Sequence, residues 1–377
     1  MRSPYSLASA HTQRGAALLL FVIFLVMAAT YTLLKKVNQT PDETSRDRYT
    51  MQQLNTARAA LLGYALHGLD PINNTMRPGQ LPCPDYTLNG ISDPCQININ
   101  GNVKPGRLPW YSLGLARLRD ADNEPLWYVP AIEFNGSQAI NSDSNNTRLR
   151  MDGKPEPLVA LVLAPGAPLD NQSRPSGTAA QVDPARYFED VNALGDAVYA
   201  TLPATGTTPF NDHLLAIRLD RFMPKLERRV LNEVAGILGN GPFPNPASIG
   251  KTACSDKNTE GLVPLLIVPD PLLTCNIQTL PTFPTWFRDD WQALIWYVMD
   301  PSENLSVRRA DDTITTDLQT LLFSPGKPLA ANNQLPRSNL PTVFDLLDDD
   351  ENTNGGPLYQ DPVNSLTDND QLLIVSP

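Results

Sequence analysis

Ala16 to Leu34 is a run of nineteen residues without a charge. At 1.5 Å per residue it makes about 28 Å of helix, enough to span a hydrocarbon core. Its sequence, AALLLFVIFLVMAATYTLL, is apolar on every face, which predicts a transmembrane helix. Pro41 follows and should break or bend that helix. From Arg48 to Leu69 the pattern changes: Leu54, Ala57, Leu61, Ala65 and Leu69 recur at three-to-four spacing, with Leu62 and Leu66 beside them. One buried stripe on an amphipathic helix is the reading. The same period returns at Phe222 to Leu238, where Phe222, Leu226, Val230, Val234 and Leu238 share a face. Pro224 is tolerated in the first turn there, and Gly239 is the stop. The remaining apolar runs are short and bounded by Pro, Gly, Asn or Asp, as strands are.

These elements recur in order. "LVALVLAPGAPL", Leu158 to Leu169, aligns without gaps on "LQTLLFSPGKPL", Leu318 to Leu329, with six identities in twelve positions. "LWYV" at Leu126 pairs with "IWYV" at Ile295, "YFEDVN" at Tyr187 with "VFDLLDDDEN" at Val343, and "NDHLLAI" at Asn211 with "NDQLLIV" at Asn369. "LPCPD" and "TACSD" precede the two Trp-Tyr-Val runs. Ordered landmarks of this kind predict an internal duplication. The fold class expected is therefore α+β: an N-terminal transmembrane helix, then two duplicated helix-plus-antiparallel-sheet units at 45–220 and 221–377.

Composition narrows the partners. The chain has 377 residues, a formal net charge of −11 and no basic run, which argues against nucleic acid. Its 36 prolines favour short elements and ordered loops. The four cysteines fall in two local pairs, Cys83 with Cys95 and Cys254 with Cys275. Behind a hydrophobic targeting segment this arrangement favours two disulfides in an oxidising compartment, with free thiols the alternative. A zinc site would want closer cysteine spacing or neighbouring histidines, and the chain has only His11, His67 and His213.

Arg2 and Arg14 flank a short polar leader that ends at Gly15, directly before Ala16 and the apolar run; Lys35 and Lys36 close it. This stretch resembles the type IV prepilin signal shared by pilins and type II secretion pseudopilins. The resemblance implies a leader at 1–15, cleavage by prepilin peptidase between Gly15 and Ala16, and an assembly helix at 16–34 retained on the mature protein. It implies other pilin-like subunits, the assembly machinery and the inner membrane as partners. The family usually carries Glu at the fifth mature position, which here is Leu20. A buried carboxylate needs a partner, and members lacking it resemble large minor or tip subunits. "RPGQLPCPDYTLNG" with the later "GRLPWYSLGL" also resembles a run in large exported prepilin-like proteins. Two other readings of the apolar segment stay open: a secretory signal cut after Val26-Met27-Ala28, or a plain uncleaved anchor.

Candidate chemistry is thin. "NPASIGKT", Asn245 to Thr252, has Asn where a phosphate loop has its first glycine, and no strand clearly precedes it, so it reads as a structural loop. No G-x-S-x-G occurs, and His213 sits at a strand start without an evident partner. Asp345 to Glu351 could offer oxygens to Ca2+ but lacks the alternating spacing, and reads as a solvated acidic loop. Asn211-Asp212 and Asn369-Asp370 read as Asx turns opening strands. Trp127, Tyr128, Trp296 and Tyr297 read as core. The expectation is a non-enzymatic minor or tip subunit of a type IV pilus or type II secretion machinery, with no catalytic, cofactor or metal residues. It would be a single-pass inner-membrane protein with its body in the periplasm or at the cell surface. The alternative is a membrane-anchored or secreted periplasmic binding protein or enzyme.

Overall fold

The computed structural model describes residues 14–67, 77–135, 139–144, 146–169, 172–174, 177, 181–204, 209–255, 257–268, 275–329, 342–361 and 368–376, with the side chains at 14–18, 33–42 and 376 left aside. The chain divides into two units, Met1–Gln52 and Gln53–Pro377.

Helix α1 (Arg14–His67) is one element, so the chain does not break at Pro41. In the first unit, every described residue from Leu19 to Thr32 is exposed, Phe21 and Phe24 by about two thirds. The two threonines in this run turn their hydroxyls back onto helix carbonyls, Thr30 Oγ1 to Val26 O at 2.7 Å and Thr32 Oγ1 to Ala29 O at 2.9 Å. Among the described residues no helix is long and apolar enough to cross a membrane. Of the expected span Ala16–Leu34, side chains are described over 19–32.

The second unit holds helices and antiparallel sheets, an α+β arrangement. On its part of α1, Leu54, Ala57, Leu61 and Ala65 are buried as their spacing predicts, while Leu62 and Leu66 lie at the rim; Leu69 lies outside the described residues.

One four-stranded sheet consists of β1 (Gly106–Arg107), β2 (Trp127–Pro130), β4 (Leu158–Ala164) and β6 (His213–Arg218), in that order. The other consists of β7 (Glu260–Leu262), β8 (Trp296–Met299), β11 (Thr320–Ser324) and β13 (Gln371–Ser376), in the order β13-β11-β8-β7. Both are antiparallel throughout. Their registers agree pair by pair: Trp127 faces Leu163 and Trp296 faces Phe323, Tyr128 faces Val162 and Tyr297 faces Leu322. Leu163 then faces Leu214, as Phe323 faces Leu372. The central strands β4 and β11 are buried at every residue, which is why β4 and Leu321 to Phe323 of β11 run apolar without alternation.

Each central strand ends in a Pro-Gly turn whose glycine has positive φ, 61° at Gly166 and 60° at Gly326. A Cβ at Gly166 would stand 2.9 Å from the Asn211 carbonyl oxygen, and one at Gly326 would collide with Asn369. Glycine is required at both turns by conformation and by space.

Two smaller sheets depart from the antiparallel expectation. In the first, β3 (Arg150–Met151) pairs with β5 (Val198–Tyr199) in parallel. In the second, β9 (Leu305–Arg308) pairs antiparallel with β10 (Ile314–Leu318) and parallel with β12 (Leu358–Gln360). The parallel partners are far apart in sequence, as long crossovers permit, and no local spacing could announce them.

Helix α2 (Leu219–Leu238) follows β6 directly and packs on β4, β6, β11 and β13. All five residues of its predicted stripe are buried, and Gly239 caps it with its N–H on Ala235 O at 2.9 Å. It begins three residues before the predicted Phe222, so Pro224 lies past the first turn. The Pro224 carbonyl accepts from Gln371 Nε2 at 2.8 Å, tying the helix to β13. The end of α1 is fixed nearby: Gly79 N and Arg229 Nη1 both donate to Ala65 O, at 2.9 and 3.2 Å.

Candidate functional site

β6 and β13 begin with the same construction. Before β6, Asp212 Oδ2 accepts from Glu189 N at 3.2 Å and from Asn192 Nδ2 at 2.9 Å, while Glu189 Oε2 accepts from Asn211 N at 3.1 Å. Before β13, Asp370 Oδ2 accepts from Asp348 N at 2.8 Å, and Asp348 Oδ2 accepts from Asn369 N at 2.8 Å. Asn192 pairs with both backbone groups of Ala200, and Asn352 does the same with Gln360. The Asx turns expected at Asn211 and Asn369 do not form. Their amides cross to the Pro-Gly turns instead, Asn211 Nδ2 to Ala167 O at 2.8 Å and Asn369 Nδ2 to Lys327 O at 2.9 Å.

Each start therefore buries a carboxyl group. Burial first, and the Glu189 charge second, push Asp212 up to about 8. Burial and then the Asp348 charge raise Asp370 well above the carboxylate range. In both, Oδ1 is buried without a hydrogen-bond partner.

The surroundings then diverge. In the first half Gln172 Nε2 donates to Glu189 Oε1, and Arg174 Nη2 holds the same amide through Gln172 Oε1 at 3.0 Å. In the second half Asp368 occupies the alignment position of Phe210. Asp348, Asp368 and Asp370 each present a carboxylate oxygen, all within 4.8 Å of one another.

The acidic stretch is not the solvated loop expected. Asp345 closes a capping box with Thr342 on α3 (Val343–Leu346), and Asp349 caps α4 (Asp350–Thr353) through Glu351 N at 2.8 Å. Asp348, between them, is turned to the strand start. Short helices separated by a few residues use consecutive aspartates for separate jobs.

A cavity of about 260 Å3 opens beside the start of α2, lined among others by Ser142, Arg218, Met223, Glu227, Lys327 and Asn369. Glu227 is 1 % exposed and accepts from Ser142 Oγ at 2.8 Å and from Gln371 Nε2 at 2.9 Å.

The other candidates fall as follows. Cys83–Cys95 and Cys254–Cys275 are disulfides. Trp127, Tyr128, Trp296 and Tyr297 are buried core, Tyr297 Oη donating to Pro244 O at 2.9 Å. Asn245 to Thr252 is a loop, with Ala247 bridging Leu262 and Cys254. His213 is half-buried, its Nδ1 3.1 Å from Asn211 O. Leu20 is exposed on α1; Gly15 and Ala16 lie in its first turn, with their surroundings outside what is described. Sequence reading missed Glu189, Asn192, Glu227 and Asp368, which are scattered along the chain and meet only in the fold.

Comparison of the chain with protein-family models, with curated proteins and with solved structures finds no match.

Proposed function

We propose that the chain is a non-enzymatic, pilin-like or pseudopilin-like structural subunit, a tip or initiating component of a type IV pilus or type II secretion machinery. The observation that carries this is the described run Leu19 to Thr32: apolar on all faces, exposed at every residue, with its only hydroxyls other than Tyr31's satisfied inside the helix. A helix of that kind needs lipid or other helices around it. Ala16 to Leu34 spans the inner membrane and later packs among neighbouring subunits, after prepilin peptidase has cut between Gly15 and Ala16. Leu20, in place of the usual carboxylate, suits a subunit with no predecessor to pair with.

The body is exported, which the two disulfides support. Its two sheets are the halves of a duplication, a reading supported by equal strand order, equal register and the repeated Asp-Asn lock at β6 and β13. A photo-crosslinker at position 20 tests the assembly role. Crosslinks to another subunit's apolar helix are expected in cells assembling filaments, and crosslinks to lipid alone sink it. The cavity at Glu227 favours a second reading, a membrane-anchored binding protein for a small polar ligand. A ligand captured in that cavity, lost on Arg218→Ala, would promote it.

A further inference from the structure

We propose that Asp348, Asp368 and Asp370 form a binding site for a divalent cation of calcium size, which fastens the start of β13 to the segment between α3 and α4. Oxygens bound at 2.3–2.6 Å to one ion lie at most about 4.6–5.2 Å apart, so three carboxylate oxygens within 4.8 Å of one another fit around Ca2+. A smaller ion such as Mg2+, bound at about 2.0–2.1 Å, also demands near-octahedral geometry and gives up its waters reluctantly, which disfavours it at a cluster of protein carboxylates.

The burial of Asp370 is the second, independent observation. It is 4 % exposed, its Oδ2 is used by the Asp348 N–H, the Asp349 N–H also acts on the carboxylate, and its Oδ1 is enclosed without a hydrogen-bond partner. An enclosed carboxylate oxygen without a donor is costly, and a cation supplies the missing partner.

The first half repeats the construction, its Asp212 Oδ1 likewise without a partner, but brings no third carboxylate to it. There Phe210 stands at the position of Asp368, and Gln172, backed by Arg174, donates to Glu189. One half meets its buried carboxyl pair with an amide donor; the other adds a third carboxylate. Occupancy has a structural consequence, because the residues after Asp370 hold α2. Gln371 donates to Glu227 and Pro224, and Leu372 O accepts from Arg228 Nη1 at 2.8 Å.

The test is calorimetric titration of Ca2+ and of Mg2+ into the full chain in detergent micelles after EDTA treatment, with thermal unfolding read alongside. One Ca2+ site is expected, with Kd on the order of 10−4–10−3 M, the range of extracellular modules, and a higher Tm on loading. Asp368→Asn and Asp370→Asn should each weaken binding by about tenfold or more. Asp311→Asn, an exposed aspartate elsewhere, should leave it unchanged. Asp368 is only half-buried, so its variant keeps the test open if Asp370→Asn fails to fold. No Ca2+ binding up to about 10 mM, equal binding by the Asp368 variant, equal loss in the Asp311 variant, or Mg2+ bound as tightly as Ca2+ would each overturn the assignment.

Discussion

Replacing Asp212 with Asn should remove part of the pH dependence of folding. In an unfolded chain Asp212 titrates near 3.9; in the folded body burial and Glu189 push it up to about 8. Between those values the folded state holds a proton that the unfolded state has released, so stability falls as pH rises, by about 1.4 kcal/mol per pH unit. The contribution is fully present below about pH 4 and is lost as pH climbs through about 8. Over about pH 6 to 8 the loss amounts to roughly 2 kcal/mol.

Asparagine imitates the protonated acid. Its oxygen can keep the bonds from Glu189 N and Asn192 Nδ2, and its amide can donate toward the Glu189 carboxylate where the acid proton stood. Urea unfolding of the full chain in micelles, followed by tryptophan fluorescence, measures the effect at the two ends of that pH window. Asp212→Asn should be shallower than wild type by about 2 kcal/mol across the window. Asp370 is raised in the same direction, so a residual slope remains in the variant. Equal slopes in the two proteins would refute the buried-carboxyl argument.

Two further outcomes concern stability. Cys254 and Cys275 are 21 residues apart and Cys83 and Cys95 are 12 apart, so replacing either pair by alanine should cost about 3 kcal/mol in the same unfolding assay. Glu227→Ala takes the acceptor from the Ser142 hydroxyl and one of two acceptors from the Gln371 amide, which keeps Pro224 O, and should cost about 2 kcal/mol. Glu227→Gln, which keeps one acceptor oxygen, should cost less; equal losses would mean that packing at position 227, and not hydrogen bonding, sets its contribution.

What the sequence disclosed depended on how local the signal was. The stripe Phe222 to Leu238 and the stripe Leu54 to Ala65 were legible because a helical face is written in its own spacing. β4 and β11 were legible as apolar runs closed by Pro-Gly, and the residues aligned between them in sequence hold matching registers on β2 and β8. The parallel pairs β3–β5 and β9–β12 were not, since two or three residues of extended chain carry no mark of a partner dozens of residues away. The acidic constellations were half legible. Asn211-Asp212 and Asn369-Asp370 stood out as strand openings, but Glu189 and Asp348 reach them only across the fold. Three adjacent aspartates, Asp348 to Asp350, looked alike in sequence; short helices gave Asp349 and Asp350 to the helix start and Asp348 to β13.

The proposed membrane-inserted assembly helix is tested most directly by the mass of the mature amino terminus. In protein isolated from its own membranes the chain should begin at Ala16, with Gly15 removed and the apolar run retained. A chain beginning near Ala29, or one keeping Met1, would contradict it.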